Sequence, residues 1–402
     1  MQTRRPSAFH RAFYAVGRAL LVPYVKLKYG FRTNRIPPLD EPFLLVSNHT
    51  TEEDMFFAGV ASRSHMYFVC GEHLLRDPRY GKALRALVDP IPVPKGGASL
   101  GAVREILRRL KAGSNVCLFP EGKRSYHGQT IPSPIALGKL VKRAGCALVT
   151  YRIEGGYFTH PRWAGANTRK GHVEGHVVGV YGSVELACLS AQEVCDLVNR
   201  DTYENAYETQ RQRRWPYRGQ RLAEGLELVA FICPCCGAWD TVQTSGDAFA
   251  CTACGMAGTY DEYGFLQGEG LPFHDVLAWM RWIEPEFDGF VLQRAPGELL
   301  FAEPDVVLYQ MLDGYRNVDL ASGTLDIYRD RMVFHATSGG EWASRTYAFA
   351  DIKALSVLYG NVVLFTCDGT YFGLRGEGFR AWKCARLYHL AKGDTHDATK
   401  EI

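Results

Sequence analysis

The sequence Phe43-Leu44-Leu45-Val46-Ser47-Asn48-His49-Thr50-Thr51-Glu52-Glu53-Asp54 places a polar motif directly after an apolar run. The run 43–47 predicts a buried strand. Threonine followed by acidic residues is typical of a helix start, and apolar residues continue over Met55–Val60. His49 therefore lies where a strand ends and a helix begins, with a carboxylate, Asp54, shortly after it. Such a carboxylate can fix the imidazole tautomer and stabilise its protonated form, so the pair is a candidate general base.

A second polar motif, Phe119-Pro120-Glu121-Gly122-Lys123-Arg124-Ser125, follows another apolar run. Together the two motifs, in this order and each at a strand end, resemble those of the glycerolphosphate acyltransferase family, which includes the lysophosphatidic acid acyltransferases. His49 and Asp54 fill the family's His-x4-Asp motif. The run 119–125 resembles its Phe-Pro-Glu-Gly-Thr-Arg-Ser motif, with Lys123 in place of threonine. The alternative interpretation is a chance histidine near an aspartate at a helix start.

The resemblance implies that His49 is the general base and that Asp54 orients it. It further implies a set of residues that place the acceptor: Lys95, Glu121, Gly122, Lys123 and Arg124. Lys95 stands where the family commonly has an arginine that grips a phosphate, and a lysine gives up bidentate geometry. The alternatives are a surface lysine in a turn at 95 and solvated loop charges at 123 and 124.

Composition sets the broad class of the protein. A chain of 402 residues with 47% hydrophobic and 22% charged residues predicts an ordinary globular protein of two or three domains. A net charge of +3 is too small to indicate nucleic-acid binding. Apolar runs are too short for a membrane span, and a signal-peptide pattern is absent. Outside one metal-type cluster, the cysteines are scattered as in a reducing compartment. We therefore expect a cytoplasmic protein, peripheral on the inner face of the membrane.

Residues 1–36 are basic and contain no acidic residue. Their apolar residues recur at helical spacing from Phe9 until Pro23, which predicts an amphipathic helix that contacts an anionic membrane surface. The alternative is a helix packed on its own domain.

Residues 37–225 alternate strand and helix patterns, which predicts an α/β domain with helices on the faces of a sheet. In open α/β sheets the functional residues gather at strand ends, where His49 and Glu121 lie. Arg152 and Arg162, further along, could contact an anion or could pair with acidic side chains.

Residues 226–268 predict a zinc ribbon. Cys233-Pro234-Cys235-Cys236-Gly237 and Cys251-Thr252-Ala253-Cys254-Gly255 are two C-x2-C knuckles, each followed by glycine. This spacing is typical of a four-thiolate zinc site formed by Cys233, Cys236, Cys251 and Cys254. Four thiolates leave no open coordination position, so the Zn²⁺ would be structural and not catalytic. Cys235 lies between two of these ligands and would not bind the ion. The alternative to a zinc site is a set of free or disulfide-bonded cysteines.

The remaining chain predicts a connecting helix within 269–295, stopped at Pro285, and a β-rich domain over 296–395. Short strand patterns followed by one helix resemble a pleckstrin-homology-like or GRAM-like domain, which implies lipid or partner docking.

The family resemblance implies an acyltransferase in phospholipid synthesis. It would move an acyl group from a thioester of coenzyme A or acyl carrier protein to a hydroxyl of a (lyso)glycerophosphate. Two alternatives stay open. One is the same chemistry on another lysolipid or an amino-lipid, and the other is a non-catalytic, membrane-binding adaptor.

Overall fold

The N-terminal helix α1, Ala8–Tyr29, lies against the first sheet of the chain. This computed structural model describes residues 6–93, 100–312, 316–338 and 343–393. The Ser7 hydroxyl accepts the His10 amide at the start of α1, and Gly30 ends the helix in a left-handed conformation. The helix runs through Pro23, so the prediction that it ends there is wrong. Residues beyond the proline, Val25 and Tyr29, are fully buried, and their packing outweighs one missing backbone hydrogen bond.

Seven strands of the described residues form the first sheet, in the order β1-β7-β6-β2-β5-β3-β4. They are β1 Arg32–Thr33, β2 Phe43–Ser47, β3 Met66–Gly71, β4 Ile91–Val93, β5 Asn115–Leu118, β6 Ala147–Glu154 and β7 Glu174–Tyr181. Neighbouring strands are parallel except β6 and β7, which are antiparallel. Because β1 pairs with β7, the segment predicted as a separate lead-in over 1–36 contributes a strand to this sheet.

Helices cover both faces of the sheet. They are α2 Asp54–Ala61, α3 Glu72–Leu75, α4 Gly81–Leu87, α5 Leu100–Lys111, α6 Ile135–Ala144, α7 Gly156–Thr159, α8 Ser183–Cys188, α9 Ala191–Thr202 and α10 Ala206–Arg213. Alternate residues of β2 enter two cores: Phe43 and Leu45 pack with α1 and α2, whereas Leu44 and Val46 pack with α5, α6 and α9. A parallel sheet buried on both faces confirms the predicted α/β fold. The parallel strands β2 and β5 therefore end side by side, and their following loops meet at one edge of the sheet.

A small antiparallel sheet follows a 3₁₀ turn at Leu226–Leu228. Its strands are β8 Val242–Ser245, β9 Ala248–Cys251, β10 Ala257–Tyr260 and β11 Leu266–Gln267. The next helix, α11, extends over Val276–Leu292 and contains Pro285, so the predicted stop at this proline is also wrong. Phe287 and Val291 lie beyond the proline and are fully buried, which keeps the helix in place.

The last sheet is antiparallel and has the order β15-β14-β13-β12-β18-β17-β16. Its strands are β12 Leu299–Leu312, β13 Arg316–Tyr328, β14 Arg331–Ser338, β15 Ser344–Ala348, β16 Ile352–Leu358, β17 Val362–Cys367 and β18 Thr370–Arg375. Helix α12, Ala381–Ala391, packs on this sheet and closes the described chain. The structure therefore contains the predicted β-rich C-terminal region, in which one helix follows the strands.

A buried charge cluster joins the small sheet to the C-terminal sheet. The Lys383 ammonium on α12 is fully buried. It donates to both Asp240 oxygens, at 2.9 and 2.8 Å, and to Glu303 Oε1 at 3.1 Å. Arg380 also pairs with Asp240, at 3.0 Å. Asp240 lies between the two cysteine knuckles and Glu303 lies on β12, so this cluster fastens the two regions together.

Candidate active site

His49 lies in the loop that joins β2 to α2. Its Nδ1 is 2.9 Å from Asp54 Oδ2, and 23% of its side chain is exposed, whereas the Asp54 side chain is fully buried. The imidazole stacks on the Phe119 ring, with centroids 4.7 Å apart. The structure therefore brings the two residues of the His-x4-Asp motif into direct contact and leaves the histidine accessible to solvent.

The Asp54 carboxylate is held by the turn that precedes it. Its Oδ2 accepts the backbone N–H groups of Thr50, at 2.5 Å, and Thr51, at 3.0 Å, and its Oδ1 accepts the Thr50 hydroxyl at 3.1 Å. A carboxylate is an acceptor only, so the hydrogen bond to His49 requires the proton to be on Nδ1. The neutral imidazole then carries its free lone pair on Nε2, the nitrogen that can accept a proton.

The second motif, residues 119–125, holds the backbone of His49 from both sides. Glu121 Oε1 accepts the His49 amide at 2.7 Å, and the Ser125 amide donates to the His49 carbonyl at 3.0 Å. The other Glu121 oxygen accepts the Ile131 amide at 3.1 Å. Burial raises the pKa of Glu121 to about 8. Gly122, at φ 66°, supplies the left-handed turn, and its amide donates to the Phe119 carbonyl.

The remaining predicted acceptor residues take different places. Lys123 is half-buried. Arg124 is buried and donates to Glu52 Oε1 at 3.2 Å and to the His160 carbonyl at 3.3 Å. Lys95 lies outside the described residues. Glu121 and Arg124 thus meet the His49 loop, and contact of any of these residues with a substrate stays a prediction.

Comparison with known proteins agrees with this geometry. The family model described as Acyltransferase matches residues 29–154. This segment is therefore an acyltransferase domain. The match confirms the family and the enzyme class expected from the two motifs. The matched segment contains α1's last residue, strands β1 to β6 and both motifs.

Solved structures give weaker likenesses. The 1-acyl-sn-glycerophosphate (LPA) acyltransferase PlsC from Thermotoga maritima is 19% identical, with a TM-score of 0.39 over 50% of this chain and 78% of that chain. The Vps36 N-terminal PH domain is 12% identical, with a TM-score of 0.20 over 26% of this chain and 86% of that chain. Among curated protein sequences, none matches this chain.

A buried arginine, Arg162, lies next to the second motif. Arg162 donates to the Arg124 carbonyl at 3.0 Å and to the Val357 carbonyl on β16, and its guanidinium lies 3.8 Å from the centroid of the Tyr126 ring. The sequence offered an anion contact or an ion pair for this residue, but its described partners are two carbonyls and a ring. By contrast, Arg152 pairs with Glu154 at 3.2 Å, as one of its alternatives predicted.

Beyond the acyltransferase domain, four cysteines could hold a metal ion. The sulfurs of Cys233, Cys236, Cys251 and Cys254 all lie within 4.8 Å of one another. The Cys233–Cys254 and Cys236–Cys251 sulfur pairs are 3.7 and 3.8 Å apart. Four thiolates at about 2.3 Å from a tetrahedral zinc ion stand about 3.8 Å apart, so the set fits that ion. Cys235 is exposed and lies outside the group.

Proposed function

We propose that this acyltransferase moves an acyl group from a thioester to a hydroxyl of a lysoglycerophosphate in phospholipid synthesis, with His49 as general base. The observation that carries the proposal is the His49–Asp54 contact. A fully buried carboxylate accepts a hydrogen bond from the Nδ1–H group of a partly exposed imidazole, so Nε2 is the basic nitrogen. Both coenzyme A and acyl carrier protein provide thioesters of the required kind.

In the proposed reaction, His49 Nε2 removes the acceptor hydroxyl proton while the oxygen attacks the thioester carbonyl. The tetrahedral intermediate expels the thiolate, which takes the proton from the imidazolium, so atoms and charge balance without a covalent acyl-enzyme. Asp54 stabilises the transient imidazolium. General-base catalysis of this kind contributes about 10²–10⁴ in rate, and positioning of the reactants supplies more.

The acceptor would be placed by the second motif and by Lys95. Gly122 is exposed and Lys123 is half-buried, so both can be reached by a ligand near His49. Glu121 and Arg124 are buried and bonded to the loops around His49, which favours an indirect role in which they shape the site. The lysine at 123 would offer positive charge to an acceptor phosphate.

A membrane surface is the proposed partner of α1. Large apolar side chains recur every three or four residues on its exposed side: Phe9, Phe13, Val16, Leu20, Tyr24 and Leu27. Leu27 is 86% exposed. The opposite side packs on the domain, where the Tyr14 hydroxyl donates to the Gly59 carbonyl at 3.0 Å. An outward apolar stripe with basic neighbours suits a helix that lies in a lipid surface. None of the helices in the described ranges combines the length and apolar character needed to cross a bilayer.

For the region 226–268 we propose a zinc ribbon, because the thiolate set fits the ion. When bound, the ion would cross-link the two knuckles and stabilise the small sheet. We propose residues 37–225 as the acyltransferase domain, although its sheet also contains β1 from the segment before residue 37. The proposed connecting helix, 269–295, contains α11, and the proposed C-terminal domain, 296–395, contains the last sheet.

The proposal is tested by His49→Ala with labelled acyl thioester and lysophosphatidic acid, followed by product detection. We expect a folded variant whose turnover falls by about 10³-fold or more. Near-full turnover in a folded variant would overturn the assignment of the base. Wild-type protein that binds the lipid but transfers no acyl group would favour the adaptor alternative. Parallel reactions with glycerol 3-phosphate and an amino-lipid identify the acceptor.

A further inference from the structure

The C-terminal sheet reaches the loop that holds His49. Arg162 donates one hydrogen bond to the Val357 carbonyl on β16 and another to the Arg124 carbonyl. Along the chain from Arg124, the next amide, that of Ser125, donates to the His49 carbonyl at 3.0 Å. One arginine and one peptide group therefore connect a strand near the end of the chain with the catalytic motif near its beginning.

Arg162 is built into this position by its surroundings. Its side chain is only 3% exposed, and it lies over the Tyr126 ring. Burial lowers the pKa of Arg162 to about 10, so the guanidinium stays protonated at neutral pH. Removing it would leave two carbonyls without this donor in a buried place, a change that buried polar groups tolerate poorly.

A second feature of the same region, the turn at Tyr359, concerns the same two loops. Tyr359 follows β16 in a left-handed turn, at φ 55°. Burial, and then the nearby Glu52 carboxylate, raise the pKa of Tyr359 to about 12, with Arg124 acting in the opposite direction. Glu52 belongs to the His-x4-Asp loop and Arg124 to the second motif. The turn therefore lies within electrostatic reach of both catalytic loops.

We infer that Arg162 is a positioning residue through which the C-terminal sheet fixes the 119–125 loop, and with it the base His49. The inference rests on the proposed role of His49. The loop has no regular secondary structure around Gly122, so its placement depends on such side-chain bonds. A base displaced by about 1 Å can lose about 10² in rate, whereas substrate affinity depends on other contacts. The effect should therefore appear in kcat more than in KM.

The experiment compares full-length Arg162→Gln, Arg162→Lys and Arg169→Gln. Arg169 is a matched control because it is also buried. It donates to the Leu222 carbonyl at 2.6 Å and lies over the Trp163 and Tyr260 rings, and these contacts involve neither catalytic motif. Measurements are kcat, KM for both substrates, the melting temperature, and amide hydrogen exchange in peptides covering 48–51 and 119–128.

For Arg162→Gln we expect kcat to fall about 10- to 100-fold with KM changed less than about threefold. Exchange should rise at the His49 and Ser125 amides. Arg162→Lys should recover part of kcat because its ammonium can still donate to a carbonyl. The Arg169 variant should lose stability while its kcat stays within about twofold of wild type.

Three results would overturn the inference. They are a folded Arg162→Gln variant with wild-type kcat, unchanged exchange in both peptides, and an equal loss of kcat in Arg169→Gln, which would indicate general destabilisation. If Arg162→Gln does not fold, Arg162→Lys carries the same comparison. If wild-type protein transfers no acyl group to any acceptor, the proposed function fails, and the exchange data still decide whether Arg162 holds the loop.

Discussion

Asp54→Asn separates the effect of the charge of the proposed catalytic carboxylate from the effect of its geometry. His49 Nδ1 and the amides of Thr50 and Thr51 all point at Oδ2, whereas Oδ1 accepts the Thr50 hydroxyl. An asparagine fits this arrangement with its oxygen at the Oδ2 position, because the hydroxyl can reverse its role and accept from the amide group. The variant should therefore keep the fold, the orientation of His49 and its tautomer.

The variant loses the negative charge beside the imidazolium that forms in the proposed reaction. Two unit charges about 4 Å apart interact by about 4 kcal/mol at an effective dielectric constant of about 20. Each 1.36 kcal/mol or so changes a rate tenfold, so kcat should fall by about 10³-fold. The melting temperature should change little, because the hydrogen bonds are retained in number.

The assay detects acyl transfer by mass spectrometry under substrate saturation, alongside thermal unfolding. A matched control is Asp201→Asn, since Asp201 is also buried but bonds the Thr150 and Tyr181 hydroxyls. We expect the control to keep kcat within about twofold. The double variant His49→Ala, Asp54→Asn should have the same kcat as His49→Ala alone, because the carboxylate acts through the base. A folded Asp54→Asn enzyme with kcat within about threefold of wild type would refute this reasoning.

Three further predictions concern the rest of the molecule. Burial raises the pKa of Glu121 from 4.5 to about 8. The folded chain therefore holds a proton in this range that the unfolded chain releases, so stability should fall as pH rises, by at most about 1.4 kcal/mol per pH unit. Denaturant titrations between pH 4.5 and about 8 should show this fall in the free energy of unfolding for wild type and a shallower fall for Glu121→Gln. Equal slopes in the two proteins would contradict the raised pKa of Glu121. Elemental analysis should find one zinc ion per chain. Cys254→Ser should lose the ion and have a lower melting temperature, whereas Cys235→Ser should keep it. Zinc retained in both variants would argue against the ribbon. Leu20→Glu should weaken binding to anionic vesicles by about tenfold or more, whereas Val184→Glu, at an exposed position on α8, should not. Equal binding by wild type and both variants would count against membrane contact through α1.

The sequence predicted the regular parts of the fold because their signals are local. Strand patterns between 37 and 225 correspond to β2, β3, β5, β6 and β7, and helix patterns correspond to α2, α4, α5, α6, α9 and α10. A capping box is one such local signal: in α9 both the Ser190 and the Glu193 side chains are bonded to backbone amides. The His-x4-Asp motif also predicted the His49–Asp54 contact, because the short spacing after a strand end leaves the two side chains little conformational freedom.

What the sequence did not reveal depends on tertiary packing. The helices α1 and α11 pass through Pro23 and Pro285 because buried residues follow each proline, and local rules do not contain that information. In β16 a register shift between Ile352 and Ala354 interrupts the alternation of the strand. The hydrogen-bond acceptors of Arg162 are backbone carbonyls, and one of them, that of Val357, is 195 residues away along the chain. No side-chain motif in the sequence indicates such a contact.

The cluster around Lys383 has a consequence for exchanging parts between enzymes. The Lys383 ammonium and the nearby Arg380 guanidinium face Asp240 from the proposed ribbon, and the ammonium also faces Glu303 from the C-terminal sheet. A chimera that receives the C-terminal sheet without the ribbon would bury two cations beside one carboxylate, an imbalance that apolar surroundings penalise heavily. The two regions should therefore be transferred together when a chimera is made. Homologues that contain only one of them should have neutral residues at the positions of this cluster.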